Sequence, residues 1–250
     1  GTVTSNPAGI NCGSTCSANF SYSTSVVLTT SPAAGSAFTG WSGEGCSGTS
    51  TCTVVMTQAK NVTAAFSLLP GDFTLSVGGG LTCNSVPLYW TASAYADAYR
   101  ILKGAPRVDI SPYQPYTALN FTDYSVSQNT GYLYQIEAYN AAGTNRSNTR
   151  NVTTPYCPPT LNFFGNPTAV FEGQSITLTW STTFTTSCTA SGAWSGSKPL
   201  NGSEVVVPLP PPSVTYTLNC SGPGGSTSIQ SVTVNITPLA LPDWKEIIPR

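Results

Sequence analysis

Eight cysteines and no histidine constrain this chain more tightly than any motif in it. The cysteines are Cys12, Cys16, Cys46, Cys52, Cys83, Cys157, Cys188 and Cys220, an even set. Three Pro- and Gly-rich stretches read as linkers: "LLPGD" at 68–72, "TPYCPPT" at 154–160 and "TPLALPD" at 237–243. Breaks near Pro70 and Pro158 divide the cysteines four, two and two, so each segment can close its own bridges. Cys83–Cys157 and Cys188–Cys220 are then forced. The first four cysteines leave three pairings, of which the simplest is Cys12–Cys16 with Cys46–Cys52, each closing a tight turn. A zinc knuckle needs two residues between its cysteines, whereas the short gaps here are three and five, and no thioredoxin-like Cys-x-x-Cys occurs. Disulfides persist in oxidising compartments, so the chain is expected to work outside the cytoplasm, in the extracellular space or on a cell surface.

The missing imidazole removes Ser-His-Asp and Cys-His nucleophile systems and every metal site built on histidine. The ten acidic residues include no Asp-x-Asp run, so no calcium loop is expected. They are also too sparse to favour a glycosidase pair. No catalytic residue, metal ligand or cofactor is therefore assigned, and the chain reads as no enzyme. Charged residues make only 8% of the sequence, against roughly 25% in ordinary soluble domains. Ser and Thr together number 67 of the 250 residues, so the surface is largely hydroxyl and amide. A net charge of −1 with scattered basic residues gives no field for nucleic acid or anionic lipid. No apolar run approaches the roughly 20 residues that span a bilayer, so no direct membrane insertion is expected. Nor does a signal peptide open the chain.

Helical periodicity is almost absent. Short alternating stretches recur instead, ending in Gly, Pro, Asn or Ser: "SVVLTT", "CTVVM", "NVTAAF", "VPLYW", "AYRILK", "YLYQIEAYN", "SITLTW", "SEVVVPL", "VTYTLNC" and "SIQSVTVNIT". The fold class is all-β, as tandem small domains stapled by disulfides. The expected divisions are 1–69, 70–157 and 158–238, with 239–250 as a linker or assembly tail. Trp41, Trp90 and Trp180 are the expected core centres. The densest stretch, "FTGWSGEGCSGTSTCTVVM" from Phe38 to Met56, lacks the Gly-x-Ser-x-Gly elbow because Glu44 holds the last glycine position. It reads as a stapled turn, with Phe38 and Trp41 supplying apolar area and glycines the tight reversals.

The first segment carries "GTVTSNPAGINC", then "CSANF", "AGSAFTGWSG", "CSG", "CTVVM" and "VTAAF". In this it resembles the divergent InlB B-repeat family of bacterial surface proteins, over nearly the whole segment. The resemblance implies a further strand ahead of Gly1, so the chain is expected to be a piece of a longer one. The second segment resembles a fibronectin type III domain, with "VPLYWTAS" as its tryptophan-bearing second strand, "ADAYRILKG" as the third and "GYLYQIEAYNAAGTNRSN" as the last hairpin. Trp90, Tyr134, Ile136 and Ala138 are expected in its core, and the sandwich poles would let Cys83 meet Cys157. No Arg-Gly-Asp stands in that hairpin. The third segment resembles a bacterial Ig-like domain through "LTWS", "SCTASG", "YTLNCSGPGG" and "SVTVNI". That likeness implies a bridge from Cys188 to Cys220 across the sandwich.

These resemblances imply location and architecture rather than a ligand. The first functional reading is a non-catalytic structural or adhesive protein: a stalk, an adhesin or a subunit of an extracellular filament. Its partners would be copies of itself or other surface proteins. A low-charge surface favours self-packing, and an incomplete sheet edge invites a strand from a neighbour. The tail "PDWKEIIPR" has a helix-start pattern at Asp243 and Glu246 and offers Trp244, Ile247 and Ile248 as assembly contacts. The alternative is a set of carbohydrate-binding modules attached to a secreted polysaccharide-active enzyme, with host or environmental glycans stacking on tyrosines such as Tyr95, Tyr113 and Tyr116. Eight Asn-x-Ser/Thr sequons, at Asn19, Asn61, Asn120, Asn145, Asn151, Asn201, Asn219 and Asn235, carry little weight in so hydroxyl-rich a chain.

Overall fold

The computed structural model describes residues 1–110, 114–115, 117–210 and 212–239. These fall into two compact units: Gly1–Leu81 with Ser85–Thr154, and Pro155 onward with Thr82–Asn84. Among the described residues there is no helix.

The first unit opens with β1 (Thr2–Asn6), β2 (Asn11–Cys12), β3 (Ser25–Ser31), β4 (Ser36–Ser42), β5 (Cys52–Val55) and β6 (Thr63–Leu68). One antiparallel sheet runs in the order β2-β1-β3-β5, and β4 pairs with β6 in a second. Alternation places Val26 and Leu28 of β3, Val54 of β5 and Trp41 of β4 in a common core. The stretch from Phe38 to Met56 is therefore more than a turn. Phe38 and Trp41 lie on β4 with ring centroids 5.0 Å apart. The turn proper starts at Gly43, where φ is 97° and a Cβ would stand 2.5 Å from the Asn61 carbonyl oxygen. Only glycine fits there. Across that turn Trp41 Nε1 donates to the Ser50 carbonyl at 2.6 Å, which fixes the indole.

The same unit continues with β7 (Leu75–Val77), β8 (Val86–Trp90), β9 (Ala98–Lys103), β10 (Val108–Asp109), β11 (Gln114–Pro115), β12 (Asn120–Asp123), β13 (Gly131–Asn140), β14 (Gly143–Arg146) and β15 (Arg150–Thr153). Two sheets face each other. One has the order β12-β8-β7; the other runs β10-β9-β13-β14, with β11 on β9 and β15 on β13. Their alternate residues meet in one core: Leu75, Leu88 and Trp90 from the first, with Tyr99, Ile101, Tyr134, Ile136 and Ala138 from the second. Full burial of each aliphatic side chain, such as Leu75, Leu88, Ile101 and Ile136, stabilises by about 1.5–3 kcal/mol.

The second unit contains β16 (Thr160–Asn166), β17 (Ala169–Phe171), β18 (Ile176–Thr183), β19 (Ser187–Gly192), β20 (Gly196–Lys198), β21 (Gly202–Val206), β22 (Ser213–Gly222), β23 (Gly225–Ser226) and β24 (Gln230–Thr237). Its sheets have the orders β16-β18-β21 and β17-β24-β22-β19-β20, with β23 on β22 and a parallel pairing of β17 with β24. Ile176, Leu178 and Trp180 face Leu218, Val234 and Ile236. Trp194, which sequence reasoning left aside in a glycine-flanked stretch, completes the core by stacking on Phe163 at 5.5 Å and meeting Trp180 edge-on at 5.6 Å.

The cysteines are bonded as Cys12–Cys16, Cys46–Cys52, Cys83–Cys157 and Cys188–Cys220. One expectation needs correction. Cys188 and Cys220 face each other on the neighbouring strands β19 and β22 of one sheet, with Cα atoms 4.1 Å apart, and do not cross the sandwich. The spacing is that of the close, non-hydrogen-bonded pairs of an antiparallel ladder, about 4.5 Å.

Candidate functional site

Within the first unit, the chain from Leu68 to Asp72 reads as a loose Pro-Gly linker but is bolted in place. Its anchor is Asn140 at the end of β13. The amide Nδ2 donates to the carbonyls of Leu68 at 2.8 Å and Tyr95 at 2.7 Å. Oδ1 accepts from the Ala142 and Gly143 amides at 2.9 and 3.1 Å. Two donors and two lone pairs are thus all used, the full capacity of an amide. Asn145 on β14 adds bonds from Nδ2 to the Pro70 carbonyl and to Asp72 Oδ1, both at 3.1 Å. Leu69 N donates to Gly35 O, Gly71 N to Ala94 O, and Ser93 Oγ to Gly71 O. The linker backbone is held on both sides by residues distant in sequence.

Beside this joint lies a cleft of about 430 Å³ whose walls include Tyr95, Leu68, Asp72, Thr144 and Asn145. Tyr95 is 63% exposed and takes a left-handed backbone, φ 62°.

Two buried ionic clusters belong to the same unit. Asp123, 2% exposed, accepts from Lys103 Nζ at 2.8 Å, Tyr134 Oη at 2.7 Å and Ser125 Oγ at 2.6 Å. Burial works against its charge, yet the bonds from Lys103, Ser125 and Tyr134 prevail and hold the carboxyl below its ordinary range. Burial, reinforced by the Asp123 carboxylate, pushes the Tyr134 phenol far above its usual range. On the opposite sheet face Glu137 is gripped by Arg100 and Arg146, each directly across from it on β9 and β14. The Asp123 cluster ties β12 of one sheet to β9 and β13 of the other, whereas the Glu137 cluster ties three neighbouring strands of a single sheet.

Among the described residues no group of three potential metal ligands converges. Tyr113 and Tyr116, expected as glycan platforms, and Trp244, Ile247 and Ile248, expected as assembly contacts, lie outside the described residues. Tyr95 falls on the cleft rim. Asn140 and Asn145 gave no signal in sequence beyond a turn and a sequon, because their partners in the joint lie 45 to 75 residues upstream.

Residues 1–70 match the divergent InlB B-repeat domain. No curated protein is detectably similar to the chain. Among solved structures, a two-domain fibronectin type III segment of chicken tenascin shares 16% identity, over 66% of this chain and 98% of its own, with a TM-score of 0.39. Fibronectin(III)-like modules of CbhA from Clostridium thermocellum share 8% identity over 70% of this chain and 100% of their own, at 0.28. The Ig1–Ig3 ectodomain of mouse nectin-like molecule 4 shares 14% over 70% and 67%, at 0.33. The described residues form an all-β fold, and the first seventy are similar to the divergent InlB B-repeat domain.

Proposed function

We propose that this chain is a non-catalytic structural or adhesive element of an extracellular surface, as part of a stalk, an adhesin or a filament. The observation that carries this reading is the bolted joint. A module that only tethers a ligand near an enzyme works on a loose linker, whereas transmitting force or fixing spacing requires a joint that resists bending. Here Leu68–Asp72 is clamped by Asn140, Asn145, Gly35 and Ser93. The four disulfides support placement outside the cytoplasm. The edge strand β21 supports self-association: it pairs only with β18 among the named strands, and Val205, Val207 and Leu209 point outward on and beyond it.

Negative-stain electron microscopy across a concentration series tests the reading. Regular filaments would identify a fibre subunit and direct mutation to Val205 and the tail. Isolated particles at every concentration, with residues 1–69 fixed against 72–154, would identify a stalk. Particle classes in which these two parts take many angles would overturn the structural reading.

A further inference from the structure

Tyr95 is an exposed ring held in a disfavoured conformation. At φ 62° a glycine or asparagine would fold more easily than tyrosine. The surroundings enforce that backbone: the Ala94 carbonyl accepts from Gly71 N, the Tyr95 carbonyl accepts from Asn140 Nδ2, and Asp97 N donates to the Tyr139 carbonyl. The ring gains little in return, since 63% of the residue stays in water. Strain that a fold maintains without burying the side chain points to use of that side chain.

The cleft supplies what such a ring would work with. Asp72 and Thr144 line it together with Tyr95. Asp72 Oδ1 accepts one bond from Asn145 Nδ2, and a carboxylate keeps further lone pairs for outside donors. Because the joint is locked, these groups stand at fixed spacing before any ligand arrives, which lowers the ordering cost of binding. An aromatic face with a carboxylate and a hydroxyl nearby complements a pyranose: its C–H face lies on the ring and its hydroxyl edge donates to the acid. Among the described residues lining the cleft Asp72 is the only charged one, so acidic sugars are repelled.

The geometry points to a subsite for neutral saccharides built from Tyr95, Asp72 and Thr144. This subsite rests on the extracellular placement proposed above but is independent of assembly.

The test is an array of neutral gluco-, galacto- and manno-oligosaccharides beside sulfated and uronic ones, followed by titration of the best neutral binder. The full chain is compared with Tyr95→Ala, Asp72→Asn and, as a control, Tyr22→Ala, whose ring is 78% exposed away from the cleft. The expected result is binding to neutral members only. Tyr95→Ala should weaken it at least ten-fold with no fall in melting temperature, Asp72→Asn several-fold, and Tyr22→Ala not at all. Failure of every neutral member to bind, or equal binding by Tyr95→Ala, would overturn the subsite. Microscopy reads assembly without sugar, so that outcome would leave the structural reading standing.

Discussion

Asp123 and Tyr134 show how a hydroxyl-rich, charge-poor chain uses its few charges. The carboxylate is surrounded by Lys103, Ser125 and Tyr134, and Lys103 also sits over the Tyr132 ring, 4.4 Å from its centroid. Its folded pKa lies below the ordinary 3.8, so its contribution is fully present above about pH 4 and is lost as pH falls further. Removing one partner of a buried pair leaves the other charge uncompensated and costs about 3–5 kcal/mol. Asp123→Asn should lower the unfolding free energy by about that amount at pH 7, and denaturant titration should show the gap to the parent narrowing towards pH 2. Tyr134→Phe removes one buried donor and should cost about 1–3 kcal/mol. If neither variant altered the pH dependence, the acid sensitivity would belong to a group other than Asp123.

At the scale of elements, the joint is the feature with the clearest mutational signature. Asn140→Asp keeps the shape but sets a carboxylate oxygen against the Leu68 and Tyr95 carbonyls in place of two donors. Each acceptor stripped of its partner costs about 1–3 kcal/mol. The variant should be cut rapidly between residues 68 and 72 by a protease that leaves the parent intact, while its core strands stay protected; unchanged cleavage would show that Asn145 and Ser93 suffice. The strands themselves were legible, because alternation such as Val26 and Leu28 on β3, or Val232, Val234 and Ile236 on β24, is written in consecutive residues. The joint was not legible. "LLPGD" has linker composition, and what rigidifies it comes from Asn140 and Asn145, which sequence spacing does not connect to it. Trp194 was missed for a related reason: flanking glycines mark a loop, but a loop between β19 and β20 can still return its indole to the core beside Phe163. Cysteine parity within a segment proposed the right partners, Cys188 and Cys220, but the bridge across the sandwich that the Ig-like resemblance implied is a pairing of neighbours on β19 and β22, because strand order is a property of the folded sheet. The Tyr95 cleft was legible only as an exposed tyrosine, since φ and the facing Asp72 are properties of the folded chain.

On the scale of the whole molecule, the three separate hydrophobic clusters among the described residues argue for local rather than global cooperativity. The joint couples the first two clusters, both within the first unit. Calorimetry should therefore resolve at least two transitions, because a single two-state description holds for single domains and fails for chains of several. The bridge between Cys188 and Cys220, 32 residues apart, lies wholly inside the second unit. Loop-closure entropy assigns such a bridge about 4 kcal/mol. Replacing both cysteines with alanine should lower one transition strongly and leave the other where it was. Reductant, which also opens Cys83–Cys157, should lower that transition at least as far and add a second shift from the bridges of the first seventy residues, where Cys52 is itself part of the core. If the double variant moved both transitions together, the two units would be exchanging stability.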